Sequence, residues 1–316
     1  MALPPALAQA LAAGPIDVAT YMQHCLYDSQ TGYYMTRVPM GADIATTDFV
    51  TAPELCQAFG EVVGAWVAQG WQFWGRPELW QLVEVGAGRG TLLADILRTL
   101  QQVAPAALQG LQVFVVEISP TLQQAQQHTL RAWQTLPHPP VWAPTVAAIP
   151  VSTHPTVVLS NELFDALPVR QFQRQGADWF ERLIALSATN ELIWQLAPQA
   201  CTEAAVLTYA AAYPQHSVIE YCPGLVGLVQ ALQQLTTGPQ RHWHCDYGAQ
   251  GTAETLQAVQ RHQMVSPLAH PGEADLTCQV NFHALQQAYI APWQSQCTDL
   301  SIFLHQHGFA SRVTAL

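Results

Sequence analysis

Residues 82–91 read Leu-Val-Glu-Val-Gly-Ala-Gly-Arg-Gly-Thr, and this stretch carries the sharpest chemistry in the chain. A hydrophobic run reaches Glu84, three alternating glycines follow at Gly86, Gly88 and Gly90, and an amphipathic segment starts at Thr91. Glycines permit a tight turn and close backbone approach, and a helix N-terminus offers free N–H groups with partial positive charge. The dinucleotide fingerprint requires Gly or Ala where Thr91 stands. Glu84 also lies two residues before the first glycine, where it would repel a pyrophosphate and attract a ligand carrying an ammonium and a sulfonium. A second acid, Glu117, ends the next hydrophobic run, 33 residues after Glu84. From a strand tip it can accept both ribose hydroxyls of an adenosine. Taken alone, the loop is equally an ordinary strand-to-helix turn, with Glu117 an exposed strand end.

The ligand that matches these features is S-adenosylmethionine, whose class I methyltransferases usually open with E-x-G-x-G-x-G. A third cluster then gains meaning: Asn161-Glu162-Leu163-Phe164-Asp165-Ala166-Leu167-Pro168-Val169, after the apolar run Thr156–Ser160. Glu162 and Asp165, three residues apart, fall on one side of a helical turn. Paired carboxylates suit a planar guanidinium and can take the proton lost on transfer. The alternative is that these acids cap a helix. The segment lacks the Asn-Pro-Pro-aromatic or Asp-Pro-Pro-aromatic run typical of nucleic-acid amino methyltransferases.

These groups need a scaffold, and the hydrophobic pattern supplies one. Strands are expected at Leu79–Val85, Leu111–Ile118, near Val141, at Thr156–Ser160 and at His242–Tyr247, with helices over Gly90–Val103 and Pro120–Trp133. Short apolar strands alternating with amphipathic helices imply a doubly wound, mostly parallel α/β sheet. Asp17 is a plausible N-cap for the following helix, residues 36–50 read as a loop, and Ala52-Pro53-Glu54 opens an apolar helix running past Trp71. Strand-like pieces over 169–196 suggest an inserted β-rich cap. Residues 224–235, 275–290 and 299–307 read as helices, and no final strand is evident before Leu316.

The chain has 316 residues, 10% of them charged, with 11 basic and 22 acidic side chains. A net charge of −11 disfavours phosphate-backbone binding as the main task, so no nucleic-acid partner is expected. All 11 basic residues are arginine, which excludes Schiff-base chemistry, a P-loop lysine and a Ser–Lys dyad. Seven scattered cysteines without a C-x-x-C pair fit a reducing, cytoplasmic setting. No apolar run is long enough to span a membrane, and the first basic residue is Arg37, too late for a secretory or transit signal. His242 and His244 share a strand face but run into Asp246-Tyr247-Gly248, so no metal centre is assigned. The tryptophans within 66–80 are read as helix packing.

Several stretches together resemble one family, the MidA-like methyltransferases, bacterial relatives of the mitochondrial complex I assembly factor that methylates an arginine. They are Tyr21-Met22-x-x-Cys25-Leu26-Tyr27 with Gly32-Tyr33-Tyr34; Asp48-Phe49-Val50-Thr51-Ala52-Pro53-Glu54 with Phe59-Gly60-Glu61; the glycine loop; the 161–169 segment; Asp246-Tyr247-Gly248; and Gly272-Glu273-x-Asp275-Leu276-Thr277. Ala45-Thr46-Thr47 lacks the family's glycine, and Gln279 and Asn281 stand where His and Asp are usual.

The resemblance implies a class I methyltransferase fold, with an N-terminal helical extension over 1–75 and a catalytic domain over 76–316 that carries an insertion at about 169–236. It implies cofactor contacts from Glu84, Gly86, Ala87, Gly88, Gly90, Glu117, Ile118 and Asn161, with Thr51, Pro53 and Glu54 bordering the pocket. Glu162 and Asp165 are the candidate catalytic pair. The expected partner is a protein bearing an arginine, such as a complex I subunit, and a homodimer is allowed for. A non-catalytic assembly factor that keeps the fold is the alternative, with an NAD(P) oxidoreductase third.

Overall fold

A computed structural model describes residues 3–41, 47–251 and 253–315. The expected loop over 36–50 thus lies partly outside the described residues, as do Ala45 and Thr46. The chain forms two compact units, each assembled from three segments. One comprises Met1–Thr36, Phe164–Gly227 and Tyr247–Ala288; the other comprises Arg37–Leu163, Leu228–Asp246 and Tyr289–Leu316. The boundaries read from the sequence differ from these: residues 1–75 are shared between the units, and the β-rich segment joins the first 36 residues. The reason is pairing across the chain, since Ile16–Asp17 is hydrogen-bonded antiparallel to Asp178–Leu186.

The larger unit is built on five parallel strands: β1 (Trp80–Val85), β2 (Leu111–Val116), β3 (Val141–Ala143), β4 (Thr156–Asn161) and β5 (Gln240–Cys245). Their order across the sheet is β5-β4-β1-β2-β3, all pairs parallel. The first strand therefore sits in the middle, and the chain reverses direction across the sheet between β3 and β4. Ligands of open α/β sheets bind at the carboxyl ends of the strands, at such a switch point. Every residue of β1 is buried, as expected of a strand covered on both faces.

Helix α1 (Gln57–Phe73) and helix α2 (Thr91–Val103) pack together on this sheet, with α3 (Pro120–Thr129) following β2. Close approach of α1 and α2 depends on two glycines. A Cβ on Gly60 would lie 2.5 Å from Asp95 Cβ, and one on Gly64 would lie 2.7 Å from Thr99 Cβ. The tryptophans here pack as expected: Trp80 is fully buried with Nε1 donating to Ala107 O, and Trp71 donates to Pro77 O. Helix α4 (Leu300–Gln306) and helix α5 (Phe309–Ala315) complete this unit, and Arg312 pairs with the buried Glu61 of α1.

The edge strand β5 carries a polar row. Gln240 Nε2 donates to the carbonyls of Gln233 and Thr236, so its Oε1 faces His242 as an acceptor. That choice orients the whole chain of bonds. His242 Nε2–H donates to Gln240, Tyr289 donates to His242 Nδ1, His244 Nε2–H donates to Tyr289, and Ser160 donates to His244 Nδ1. The distances run from 2.6 to 2.9 Å, and both imidazoles are neutral, His244 being pushed down to about 4 by loss of solvent. The histidine pair is thus engaged with protein partners.

The smaller unit holds the expected meander, Arg170–Gln175, Asp178–Leu186 and Leu192–Leu196, paired antiparallel. Asp17 caps its helix as read, accepting from Thr20 N at 2.7 Å. Residues 275–290 depart from the helical reading. Asp275–Thr277 pairs with Gln257–Gln260, Val280–Asn281 pairs with Gly248–Ala249, and only Phe282–Ala288 is helical. The run 274–278 is buried at every residue, which a strand allows and a one-sided helix does not. No helix among the described residues is long and apolar enough to cross a membrane.

Candidate active site

The carboxyl ends of β4, β1 and β2, adjacent in the sheet, bring Asn161, Glu84 and Glu117 to one edge. The loop after β1 folds as its sequence demands. Gly86, Gly88 and Gly90 have φ of +68°, +53° and +81°, which L side chains rarely adopt. Gly90 N donates to Ala87 O at 2.7 Å, closing the turn into α2. A Cβ on Gly86 would meet Leu163 Cδ1 at 2.8 Å, whereas one on Gly88 would find nothing nearer than Met40 at 3.9 Å. A Cβ at Gly88 would thus rest in ordinary contact with Met40, without a clash among the described residues.

Glu84 is 2% exposed, and its Oε2 is buried with no hydrogen-bond partner among the described residues. Burial alone pushes its pKa up to about 8. A carboxyl in this condition is neutral near pH 7 unless a cation faces it. Asn161 Oδ1 is likewise buried and unbonded, while its Nδ2 donates to Glu162 Oε1 at 3.2 Å. Glu117 Oε1 accepts from Ser119 N and Oε2 accepts from Gln126 Nε2, both at 2.9 Å. Burial raises its pKa, and these two bonds, with a third from the Ile118 backbone, oppose the rise. Next to it Ile118 is half exposed, an apolar surface beside the acid.

Thr51, Pro53 and Glu54 belong to the same unit. Glu54 accepts from Thr91 Oγ1 at 2.5 Å and lies 3.7 Å from Arg89. It therefore ties the turn Ala52–Leu55 to the start of α2, with Pro53 buried beneath. Arg89 and Thr91, which the sequence reading left without a role, are the partners in this tie. Gln126, which no sequence motif marks, bonds both Glu117 and the Gly88 carbonyl. Glutamine is common in this chain, so only its complete burial marks it out.

Glu162 and Asp165 do not share a helical turn. The chain leaves β4 through a bend in which Glu162 has φ +50°, its N–H donating to Cys245 O and that of Leu163 to Asp246. A left-handed residue breaks any helix there and turns the side chain away from the strand direction. Glu162 belongs to the larger unit. Asp165 belongs to the smaller, where its carbonyl accepts from Cys278 N and its charge helps hold the Tyr34 hydroxyl protonated. The helix-cap alternative fails for the same reason.

A buried acid whose Oε2 has no partner among the described residues, a left-handed glycine loop and a second acid at the neighbouring strand end thus lie at the carboxyl ends of the strands. Comparison with known proteins identifies the class. Residues 62–298 match a family described as S-adenosyl-L-methionine-dependent methyltransferase, and the chain belongs to that family. The chain is 32% identical to the zebrafish (Danio rerio) mitochondrial protein arginine methyltransferase NDUFAF7, over 88% of this chain and 69% of that protein. The human (Homo sapiens) protein of that name is 33% identical, over 87% of this chain and 65% of its own length. Among solved structures, a COG1565 superfamily member from Burkholderia thailandensis, bound to S-adenosyl-homocysteine, superposes with a TM-score of 0.83. That pair is 26% identical, covering 100% of this chain and 86% of the other. The protein is thus a class I methyltransferase whose cofactor is S-adenosylmethionine.

Proposed function

We propose that this methyltransferase acts on an arginine side chain of a protein. The observation that carries the reading is Glu162, held at φ +50° at the carboxyl end of β4 beside Asn161. Strained non-glycine residues concentrate at active sites. The relatives named protein arginine methyltransferase, matched over nearly nine tenths of the chain, support it. S-adenosylmethionine supplies an electrophilic methyl group. Glu84 holds its ammonium, the loop Gly86-Ala87-Gly88-x-Gly90 cradles it by backbone, Glu117 accepts its ribose hydroxyls and Ile118 covers its base. Thr51, Pro53 and Glu54 fix the rim through Thr91. Glu162 orients the guanidinium by charge-assisted hydrogen bonding and takes the proton that the nitrogen loses as its new N–C bond forms and the S–C bond breaks.

An NAD(P) role is disfavoured by Thr91, whose hydroxyl is bonded to Glu54, and by Glu84. We infer a respiratory complex I subunit as the acceptor protein, on the family resemblance alone, and a reducing compartment as the setting, since none of the seven cysteines is in a disulfide. Transfer of labelled methyl from S-adenosylmethionine to arginine peptides, followed by amino-acid analysis, tests the assignment. Methylarginine is the expected product, and label on lysine or histidine instead would overturn it.

Replacement of Gly88 by Ala gives an independent check on the loop. A left-handed Ala costs about 1–2 kcal/mol, lowering the melting temperature by a few degrees. Its methyl group also stands on the loop where the cofactor must approach the backbone closely, so S-adenosylhomocysteine affinity is expected to fall about tenfold or more by calorimetry. Unchanged affinity would show that the cofactor does not lie there.

A further inference from the structure

We propose that Gln126 is a positioning residue for the cofactor: one amide, locked by Trp142, aims the Glu117 carboxylate at the ribose and couples it to the glycine loop. The inference rests on the reading of Glu117 as the ribose acceptor. Gln126 is completely buried on α3, and every hydrogen-bonding group of its amide is used. Nε2 donates to Gly88 O and to Glu117 Oε2, each at 2.9 Å. Oε1 accepts from Trp142 Nε1 at 3.0 Å. An indole can only donate, so Trp142 permits one orientation of the amide. In the flipped orientation an oxygen would face both the carboxylate and the Gly88 carbonyl, two acceptors that would repel it.

The consequence for Glu117 is geometric. An ionised carboxylate has about four acceptor positions. Ser119 N occupies one on Oε1 and Gln126 one on Oε2, and the Ile118 backbone N–H also bonds the carboxylate. Donors on one side of the carboxylate thus fix its plane and leave the remaining acceptor capacity for ribose hydroxyls. The backbone is pinned as well, since Gln123 Nε2 donates to Glu117 O at 2.7 Å. The helix carrying Gln126 also rests on the loop itself, for a Cβ on Gly90 would meet Gln126 Cα at 3.5 Å. Ribose contact and glycine loop are therefore held by one side chain, and removing it should impair recognition of the diol in particular.

The test uses calorimetry of S-adenosylhomocysteine and of its 2′-deoxyribose analogue on the wild type, Gln126→Met, Trp142→Phe, Glu117→Ala and the Gln126→Met/Glu117→Ala pair. Gln126→Met keeps the volume and removes the amide. It is expected to weaken S-adenosylhomocysteine about tenfold, the scale of a hydrogen bond to a charged group, and the deoxy analogue much less. Trp142→Phe removes only the lock and should shift the same ratio in the same direction, more weakly. In the double variant the two losses should be sub-additive. In the cofactor-free protein, carbon NMR of the Glu117 carboxyl should show its titration moved upward in Gln126→Met, because a donor to the charged form is gone.

A merely structural Gln126 would lower the melting temperature and leave the ratio between the two ligands unchanged, which overturns the proposal. Should Gln126→Met not fold, an unchanged ratio in Trp142→Phe overturns it equally. Loss of discrimination in Glu117→Ala without any in Gln126→Met removes the positioning role alone. No loss in Glu117→Ala removes the ribose reading beneath it.

Discussion

Glu162→Gln is expected to lower methyl transfer by about 10²–10⁴ while leaving S-adenosylhomocysteine affinity within about threefold of the wild type. The split follows from position. Glu84 and the glycine loop follow β1 and Glu117 ends β2, whereas Glu162 follows β4. Glutamine keeps the shape of the side chain and one acceptor oxygen. It removes the charge that pairs with the guanidinium and the base that receives the proton. Because Glu162 sits at φ +50°, its replacement also reports on whether the strained backbone serves the carboxylate. Single-turnover rates with a true acceptor make the measurement. Normal turnover would remove Glu162 from the chemistry.

Cofactor affinity is expected to rise about tenfold per pH unit between about pH 5.5 and 7.5, one proton leaving as the ligand binds. Glu84 is the origin. Burial places its pKa near 8 in the free protein, against an ordinary 4.5, so most molecules hold it neutral at pH 7. An ammonium at Oε2 favours the ionised form and so expels the proton. The sign for stability is opposite. A carboxyl raised from 4.5 to about 8 makes the folded state bind more protons than the unfolded, so its contribution falls as pH rises through that window. Cofactor binding should cancel that loss. Calorimetry in buffers of different ionisation enthalpy counts the proton. Glu84→Gln should bind weakly and with a flat pH profile; a wild-type profile that is itself flat would rule out the acid as the ammonium site.

Much of the sheet was legible because parallel strands covered on both faces are continuous apolar runs, as in β1 and β4. The glycine loop was legible because alternating glycines have few other uses. The bend at Glu162 was not, since no local residue preference puts a glutamate at φ +50°. That conformation depends on bonds from Cys245 and Asp246, about 80 residues away. The strands within 275–281 were missed because their partners, Gly248–Ala249 and Gln257–Gln260, are too short to announce themselves. Division of the chain into interleaved segments rests on long-range pairing of the same kind. Gln126 was invisible for a different reason: its meaning lies in three partners drawn from three separate segments.

The polar row on β5 bears on how the protein is made. Synthesis runs from the N-terminus, so Gln240, His242 and His244 leave the ribosome before Tyr289, the hydroxyl that links the two imidazoles. Until that tyrosine is added, β5 can already extend the sheet beside β4 through its backbone, but its side chains have lost one shared partner. Arrival of Tyr289, with Trp293 tilted against His242 at 4.4 Å between ring centroids, then completes the row. The backbone of the edge strand and its side-chain cover are thus completed by stretches of chain made at different times.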